Sequence, residues 1–272
     1  DEGADMSLTI DLTGRVVAVT GGARGVGAGI VSMFLKAGAD VEICGRTQPD
    51  ALAETNGRAP HFSRVDVRED AQVDAWIEDI VTRRGRLDVV INNAGGSPFS
   101  RFAEGSARYQ RRVTDLNFLS AAFVSHAAYP VMAAQHEGGV VINISSVSAR
   151  RPSPGTAIYG AAKAALESLT TSLAMEWAPQ VRVNAVRCGL VATEAAADHY
   201  GDERALAGVA STIPMGRLAS PEDIGSACVM LASPLSSHIT GAILDVDGGG
   251  EWPAFLAHTP NASITQTGGT TP

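Results

Sequence analysis

A tyrosine and a lysine four residues apart, in YGAAK from Tyr159 to Lys163, ask for a chemical reason. The 272-residue chain carries 21 Lys plus Arg, of which only Lys36 and Lys163 are Lys. Either cation serves as a solvated charge, so a Lys in an Arg-rich chain points to a compact ammonium needed at one spot. On a helix the two residues are i and i+4 and share a face, about 6 Å apart along the axis. A free phenol titrates near pH 10, roughly three units too high for ready proton exchange at neutral pH, and closing that gap takes about 4 kcal/mol. A nearby cation favours the phenolate. The pair therefore reads as a Tyr general acid/base with Lys163 as its electrostatic half.

A second constellation, TGGARGVG from Thr20 to Gly27, lies near the start of the chain. Gly21, Gly25 and Gly27 let the backbone turn tightly and approach a ligand. A helix beginning there offers unpaired N–H groups and a positive dipole end to a phosphate. The spacing is G-x-x-x-G-x-G, which departs from the usual dinucleotide G-x-G-x-x-G.

These residues need elements to hold them. RVVAVT (15–20), DVEIC (40–44), HFSRVD (61–66), LDVVIN (87–92), VVINIS (140–145), VRVNAV (181–186) and AILDV (242–246) read as strands, most apolar throughout, as in strands covered on both faces. Helical patterns lie between them near 25–38, 70–84, 106–135, 157–178 and 221–232. The alternation predicts one α/β domain: a doubly wound, Rossmann-type sheet of about seven parallel strands with helices on both faces. Residues 1–8 read as a disordered leading segment, 9–250 as the domain, about 190–215 as a lid, and 251–272 as a mobile tail.

Composition narrows the function. A net charge of −8 argues against nucleic acid. No apolar run is long enough for a membrane span, and the acidic start DEGADMSLTI does not read as a secretion signal. Cys44, Cys188 and Cys228 lack metal-ligand spacing and cannot all pair, which suits a reducing cytoplasm. His126, His199 and His238 show no metal spacing and read as structural or surface residues, so no metal site is expected.

TGGARGVG, NNAG (92–95), Ser146, YGAAK and ITGAILDVDGG (239–249) occur together and in this order. This resembles the short-chain dehydrogenase/reductase family, 3-oxoacyl-reductase-like members included, from about residue 10 to 250. The resemblance implies hydride transfer between a nicotinamide cofactor and a carbonyl or carbinol carbon. It gives Ser146, thirteen residues before Tyr159, the role of holding the substrate oxygen, with Ser145 as its inactive neighbour. It gives Asn117, in DLNF, a water of the proton relay, and Lys163 a hydrogen bond to the nicotinamide ribose, the oxidised ring adding a second positive charge near Tyr159.

By the same resemblance the cofactor contacts are Gly21, Arg24, Gly25, Val26 and Gly27 of the loop, Asp66 and Val67 at the adenine, Asn93, Ala94 and Gly95 along the backbone, and Val191 and Thr193 at the nicotinamide amide, together with Tyr159 and Lys163. Asn92 is the structural member of NNAG. The second strand ends ICGRT, with Gly45 where NAD enzymes of the family tend to carry Asp. With Arg46 and Arg24 this favours NADP(H), because an acidic residue there would repel a 2′-phosphate; NAD(H) remains the alternative. Cys188-Gly189 stands where the family often has Pro-Gly, which reads as a substituted turn.

The expected substrate is an apolar or acyl-type small molecule, met by Phe99, Phe102 and Tyr200. Arg150 and Arg151 are open to two readings, a contact for an anionic tail or two solvated loop charges. A steroid, a 3-oxoacyl thioester and a sugar-like polyol all remain open. The resemblance also implies a homo-oligomer, tetramer or dimer, built on the helices near 106–135 and 157–178. Two rival functions stand beside the leading one: an NAD-dependent secondary alcohol dehydrogenase, and a catalytically silent cofactor-binding scaffold.

Overall fold

The computed structural model describes residues 9–52, 54–194 and 200–260. Seven strands form one sheet: β1 (Val16–Thr20), β2 (Asp40–Gly45), β3 (His61–Arg64), β4 (Val89–Asn92), β5 (Gly139–Ser146), β6 (Val181–Cys188) and β7 (Ile243–Val246). Their order is β3-β2-β1-β4-β5-β6-β7 and every pairing is parallel. The winding reverses between β1 and β4, and ligands of such sheets bind beyond the carboxyl ends of the strands at that reversal. Thr20 closes β1 and Asn92 closes β4, so the glycine loop and NNAG both start at this point.

Two cores flank the sheet. On one face Val17, Val19 and Ile91 pack with Ile30 and Phe34 of α1 (Gly25–Lys36) and with Ile224 and Cys228 of a helix near the chain's end. On the other face Val16, Ala18 and Val90 pack with Trp76 and Ile80 of α2 (Asp70–Arg84) and with residues of the middle helices. The central strands are buried along their length, as their continuous β-branched runs require. The edge strands β3 and β7 are partly open.

The pattern at 106–135 does not form one helix. It makes α3 (Ala107–Thr114), a π-helical turn (Asp115–Leu119) and α4 (Ser120–Ala134). The extra residue of a π-turn leaves no mark on hydrophobic periodicity, and such turns occur often at functional sites. Helix α5 (Ala157–Trp177) buries Ala162, Leu166, Thr170 and Ala174, while Ile158, Leu169 and Leu173 are half-buried. The region expected to form a lid holds α6 (Glu203–Ser211). Helix α7 (Pro221–Ala232) starts with Pro221 at its first position and a reciprocal Ser220–Asp223 capping box. A Cβ on Gly225 would lie 2.7 Å from the Gly29 carbonyl oxygen, so glycine lets α1 and α7 meet backbone to backbone.

Glu42, fully buried on β2, anchors the end of α2. Arg83 Nη1 and Nη2 donate to its two oxygens at 3.0 and 2.8 Å, and Arg84 Nε donates at 2.7 Å. Burial works to raise its pKa, but these donors win and hold the carboxyl below its ordinary range.

Beyond Gly250, a 3-10 turn spans Ala254–His258 and the Trp252 N–H donates to the Thr212 carbonyl at 2.8 Å. The expectations for 1–8, for His199 and for the last residues, 261–272, lie outside the described residues. Among the described residues no helix is long and apolar enough to cross a membrane, and no cluster of His, Cys, Asp and Glu could hold a metal.

Candidate active site

Strand β5 ends at Ser146 and α5 begins at Ala157, which brings the start of α5 back beside the strand's end. Tyr159 sits on the first turn, and hydrogen bonding with Ser146 pulls its pKa down. Burial wins, however, and pushes the phenol up to about 12. The sequence led us to expect the opposite direction, with Lys163 lowering the phenol. In the protein alone desolvation dominates, because the ammonium is directed elsewhere.

Lys163 is 3% exposed. Its Nζ lies 5.8 Å from the Tyr159 ring centroid and donates to the Ile144 carbonyl at 2.7 Å. Burial lowers its pKa from 10.5 to about 8, partly offset by the nearby Cys188. At neutral pH the ammonium therefore remains mostly charged. This enclosed position takes the compact ammonium that the sequence pattern called for.

Asn117 lies in the π-turn and is 1% exposed. Its Oδ1 accepts from the Gly96 N–H at 2.8 Å, and its Nδ2 donates to the carbonyls of Gly96 and Val113 at 2.9 and 2.8 Å. A Cβ on Gly95 would fall 2.7 Å from Asn117 Oδ1 and 3.1 Å from Lys163 Nζ. Gly95 is therefore the residue that admits both side chains against NNAG. Ser146, Tyr159, Lys163 and Asn117 share one site.

Residues expected to meet a cofactor gather around the carboxyl ends of β1, β2 and β4. Asn93 Nδ2 donates to the carbonyls of Thr20 and Gly21 at 2.9 and 3.1 Å. The Thr20 hydroxyl accepts from the N–H groups of Asn93 and Ala94 at 3.0 and 2.9 Å. Thr20 was not singled out from the sequence, although its place at a strand end beside the glycine loop was the available signal. Asn92 lies deeper, its Nδ2 donating to Asn143 Oδ1 on β5 at 2.8 Å and to Ser125 Oγ on α4 at 2.9 Å. Val26 packs against the core and Gly27 is buried.

In the glycine loop and just beyond β2, Arg24 and Arg46 are exposed. Asp66 carries an unforeseen partner: Arg68 Nε donates to Oδ1 at 2.8 Å and Arg68 Nη2 pairs with Oδ2. These bonds, with a weaker pull from Arg46, hold the Asp66 carboxyl below its ordinary range. Val67 is buried beside it.

The lid's first residues are pinned. Val191 pairs with Ala219 as an isolated bridge, and the Ala192 N–H donates to the Ala219 carbonyl at 2.8 Å. This carries Thr193 over the start of α1, where its Cγ2 would stand 3.7 Å from a Cβ built on Gly25.

The loop's own contacts support a phosphate-bearing group. The Gly25 N–H donates to Glu194 Oε1 at 3.0 Å, so the loop already holds an anion. The nearest side-chain atoms to the Gly25 Cβ position belong to Thr193 and Glu194, at 3.7 and 3.9 Å. Gly25 has φ +55, a conformation that favours glycine. The residues present therefore fit a dinucleotide pyrophosphate.

Cys188 ends β6 in register with Ser146. Burial pushes its thiol up to about 12, which agrees with a structural turn residue and not a nucleophile. Arg150 and Arg151 are both ion-paired: Arg150 Nη1 lies 3.4 Å from Asp245 Oδ2, and Arg151 Nε 2.5 Å from Glu251 Oε2.

A family model described as enoyl-(acyl carrier protein) reductase matches residues 21–251. The chain belongs to the short-chain dehydrogenase/reductase family. It is an oxidoreductase of carbonyl and alcohol groups. A 3alpha-hydroxysteroid dehydrogenase from Mediterraneibacter gnavus is 35% identical, covering 87% of this chain and 97% of its own. A 3-oxoacyl-[acyl-carrier-protein] reductase from Chlamydia muridarum is also 35% identical, over 88% and 98%. Among solved structures, the aldohexose dehydrogenase of Thermoplasma acidophilum in ligand-free form aligns with TM-score 0.82 at 30% identity, covering 97% of this chain and 99% of that one. These three short-chain dehydrogenase/reductase relatives act on a steroid, an acyl thioester and a sugar by their names, so likeness alone does not choose a substrate.

Proposed function

We propose that this chain transfers hydride between NADP(H) and the carbonyl or secondary alcohol carbon of an apolar small molecule, with Tyr159 as general acid/base. The observation that carries this reading is the meeting of Ser146, Tyr159 and buried Lys163 at the end of β5, beside a glycine loop that accepts an anion.

In reduction the Tyr159 phenol donates its proton to the substrate oxygen, while the Ser146 hydroxyl donates a hydrogen bond to the same atom. A bound nicotinamide would supply the hydride to the carbon. A phenol held at about 12 is fully protonated at neutral pH and so is ready to act as the acid. Lys163 keeps a positive charge near the phenolate left behind, and Asn117 holds the NNAG backbone beside it. The phenolate recovers its proton from solvent. In oxidation the same phenol must first lose its proton, so that direction calls for higher pH.

Exposed Arg24 and Arg46, with Gly45 in place of an acid, support NADP(H). A charge-assisted bond to the 2′-phosphate contributes roughly 1.5–3 kcal/mol, about ten- to a hundredfold in affinity. Phe99 and Phe102 are exposed and offer apolar surface. The pairing of Arg150 and Arg151 with acids weakens the reading in which they meet an anionic tail, and so favours a neutral substrate. We also assign self-association to the faces of α4 and α5, where Tyr129 stacks on Trp177 and Met175 is exposed.

The test is a titration of cofactor-free protein with NADPH and with NADH, followed by reduced-nicotinamide fluorescence at fixed salt. Binding of NADPH at least about tenfold tighter supports the cofactor assignment. Tighter NADH turns the screen to alcohol oxidation, and binding of neither removes the catalytic reading in favour of a silent scaffold.

A further inference from the structure

We propose that Glu194 is a resident anion on the glycine loop, which the dinucleotide must displace, and that it thereby sets the cofactor affinity. The inference rests on the dinucleotide reading above.

Glu194 follows Thr193 at the pinned start of the lid and lies 169 residues from Gly25 in sequence. Its Oε1 accepts the Gly25 N–H at 3.0 Å, and its Oε2 stands 3.9 Å from the Gly25 Cβ position. Gly25 opens α1, a twelve-residue helix whose first turn contains no acidic side chain of its own. Anionic oxygens are stabilised at such a helix start by its free N–H groups and dipole. Glu194 thus supplies from across the fold the charge that the helix lacks locally. The Gly25 N–H, the Glu194 backbone and Arg24 together hold its carboxyl below the ordinary range.

A pyrophosphate seeks the same N–H groups. Both anions cannot use the Gly25 N–H fully, and Arg24 is in electrostatic reach of Glu194. If the carboxylate occupies the loop in about nine-tenths of cofactor-free molecules, the apparent affinity falls about tenfold, because only the remaining fraction is competent. The pair is exposed, so salt screens it.

Glu194→Gln keeps the side chain's shape and removes its charge; Glu194→Ala removes the contact altogether. We would measure NADPH dissociation constants and association rates by stopped-flow nicotinamide fluorescence at low and high salt. Hydrogen exchange at the Gly25 amide in cofactor-free protein gives an independent readout. The expected result is about tenfold tighter NADPH binding in Glu194→Ala and a smaller gain in Glu194→Gln, whose amide oxygen still accepts the Gly25 N–H, carried in both by faster association. The gain should shrink in high salt, and Gly25 exchange should be faster than in the wild type. Unchanged or weaker binding in both variants, with the wild type binding NADPH normally, overturns the role of Glu194 and leaves the dinucleotide reading standing. A wild type that binds neither NADPH nor NADH overturns both.

Discussion

Replacing Lys163 by Met should make the protein more stable at neutral pH while removing its catalytic power. Burial shifts the ammonium from 10.5 to about 8, and at ~1.36 kcal/mol per unit the fold carries a cost of about 3 kcal/mol for keeping this group charged. Met preserves most of the aliphatic stem but leaves the Ile144 carbonyl without its 2.7 Å donor, a loss of about 1–2 kcal/mol. The net expectation below pH 8 is a variant more stable by about 1–2 kcal/mol, which is a rise of a few degrees in the melting midpoint.

The pH dependence is the sharper test. A lysine whose folded pKa is depressed destabilises the fold fully below the folded pKa, and that penalty is relieved as pH rises toward the unfolded value. The unfolded chain binds more protons between about 8 and 10.5. The wild type should therefore gain on the variant by about 1.4 kcal/mol per pH unit across that window. Tyr159 and Cys188, both pushed to about 12, do not titrate in the folded protein there. Their unfolded contributions are common to both chains. Midpoints measured on cofactor-free protein at intervals from about pH 7 to 9.5 should converge by roughly 4–8 °C. A gap that is flat with pH, or a Met variant less stable at pH 7, would refute the claim that Lys163 is held as a buried cation.

Three further outcomes follow from the same geometry. Tyr159→Phe should bind NADPH as the wild type does and lose at least ~10² in turnover, the usual size of acid/base catalysis, checked by paired titration and steady-state kinetics. Arg46→Ala and Arg24→Ala should each weaken NADPH binding about tenfold or more and leave NADH nearly unchanged, as loss of a phosphate contact requires. Oxidation of an alcohol should accelerate with rising pH while ketone reduction stays level up to the Lys163 pKa of about 8, read from paired pH–rate profiles.

The sheet and most helices were legible because parallel, doubly covered strands leave continuous β-branched runs, as in RVVAVT and VVINIS. The limits of α2 and α7 matched their periodic stretches. The π-turn around Asn117 was not legible, since one inserted residue shifts a helical pattern too little to see. The meeting of Tyr159 and Lys163 was readable as i, i+4, yet the direction of the phenol's shift was not. It depends on which carbonyl receives the ammonium and how much water reaches the ring, and neither is local in sequence. Arg68 on Asp66 lay only two residues away, but spacing alone does not show which way either side chain turns. Glu194 on Gly25 and Arg151 with Glu251 join distant segments, and nothing in their local sequence marks such partners.

The most direct measurement follows the hydride itself. The protein would be incubated with NADPH deuterated at the transferring position and a panel of neutral apolar ketones, and the alcohols analysed by mass spectrometry. We expect a product one mass unit heavy at the carbinol carbon with the wild type, reduced at least ~10² in rate with Tyr159→Phe. NADPH that binds but delivers no deuterium to any ketone, or undiminished transfer by Tyr159→Phe, would contradict the account.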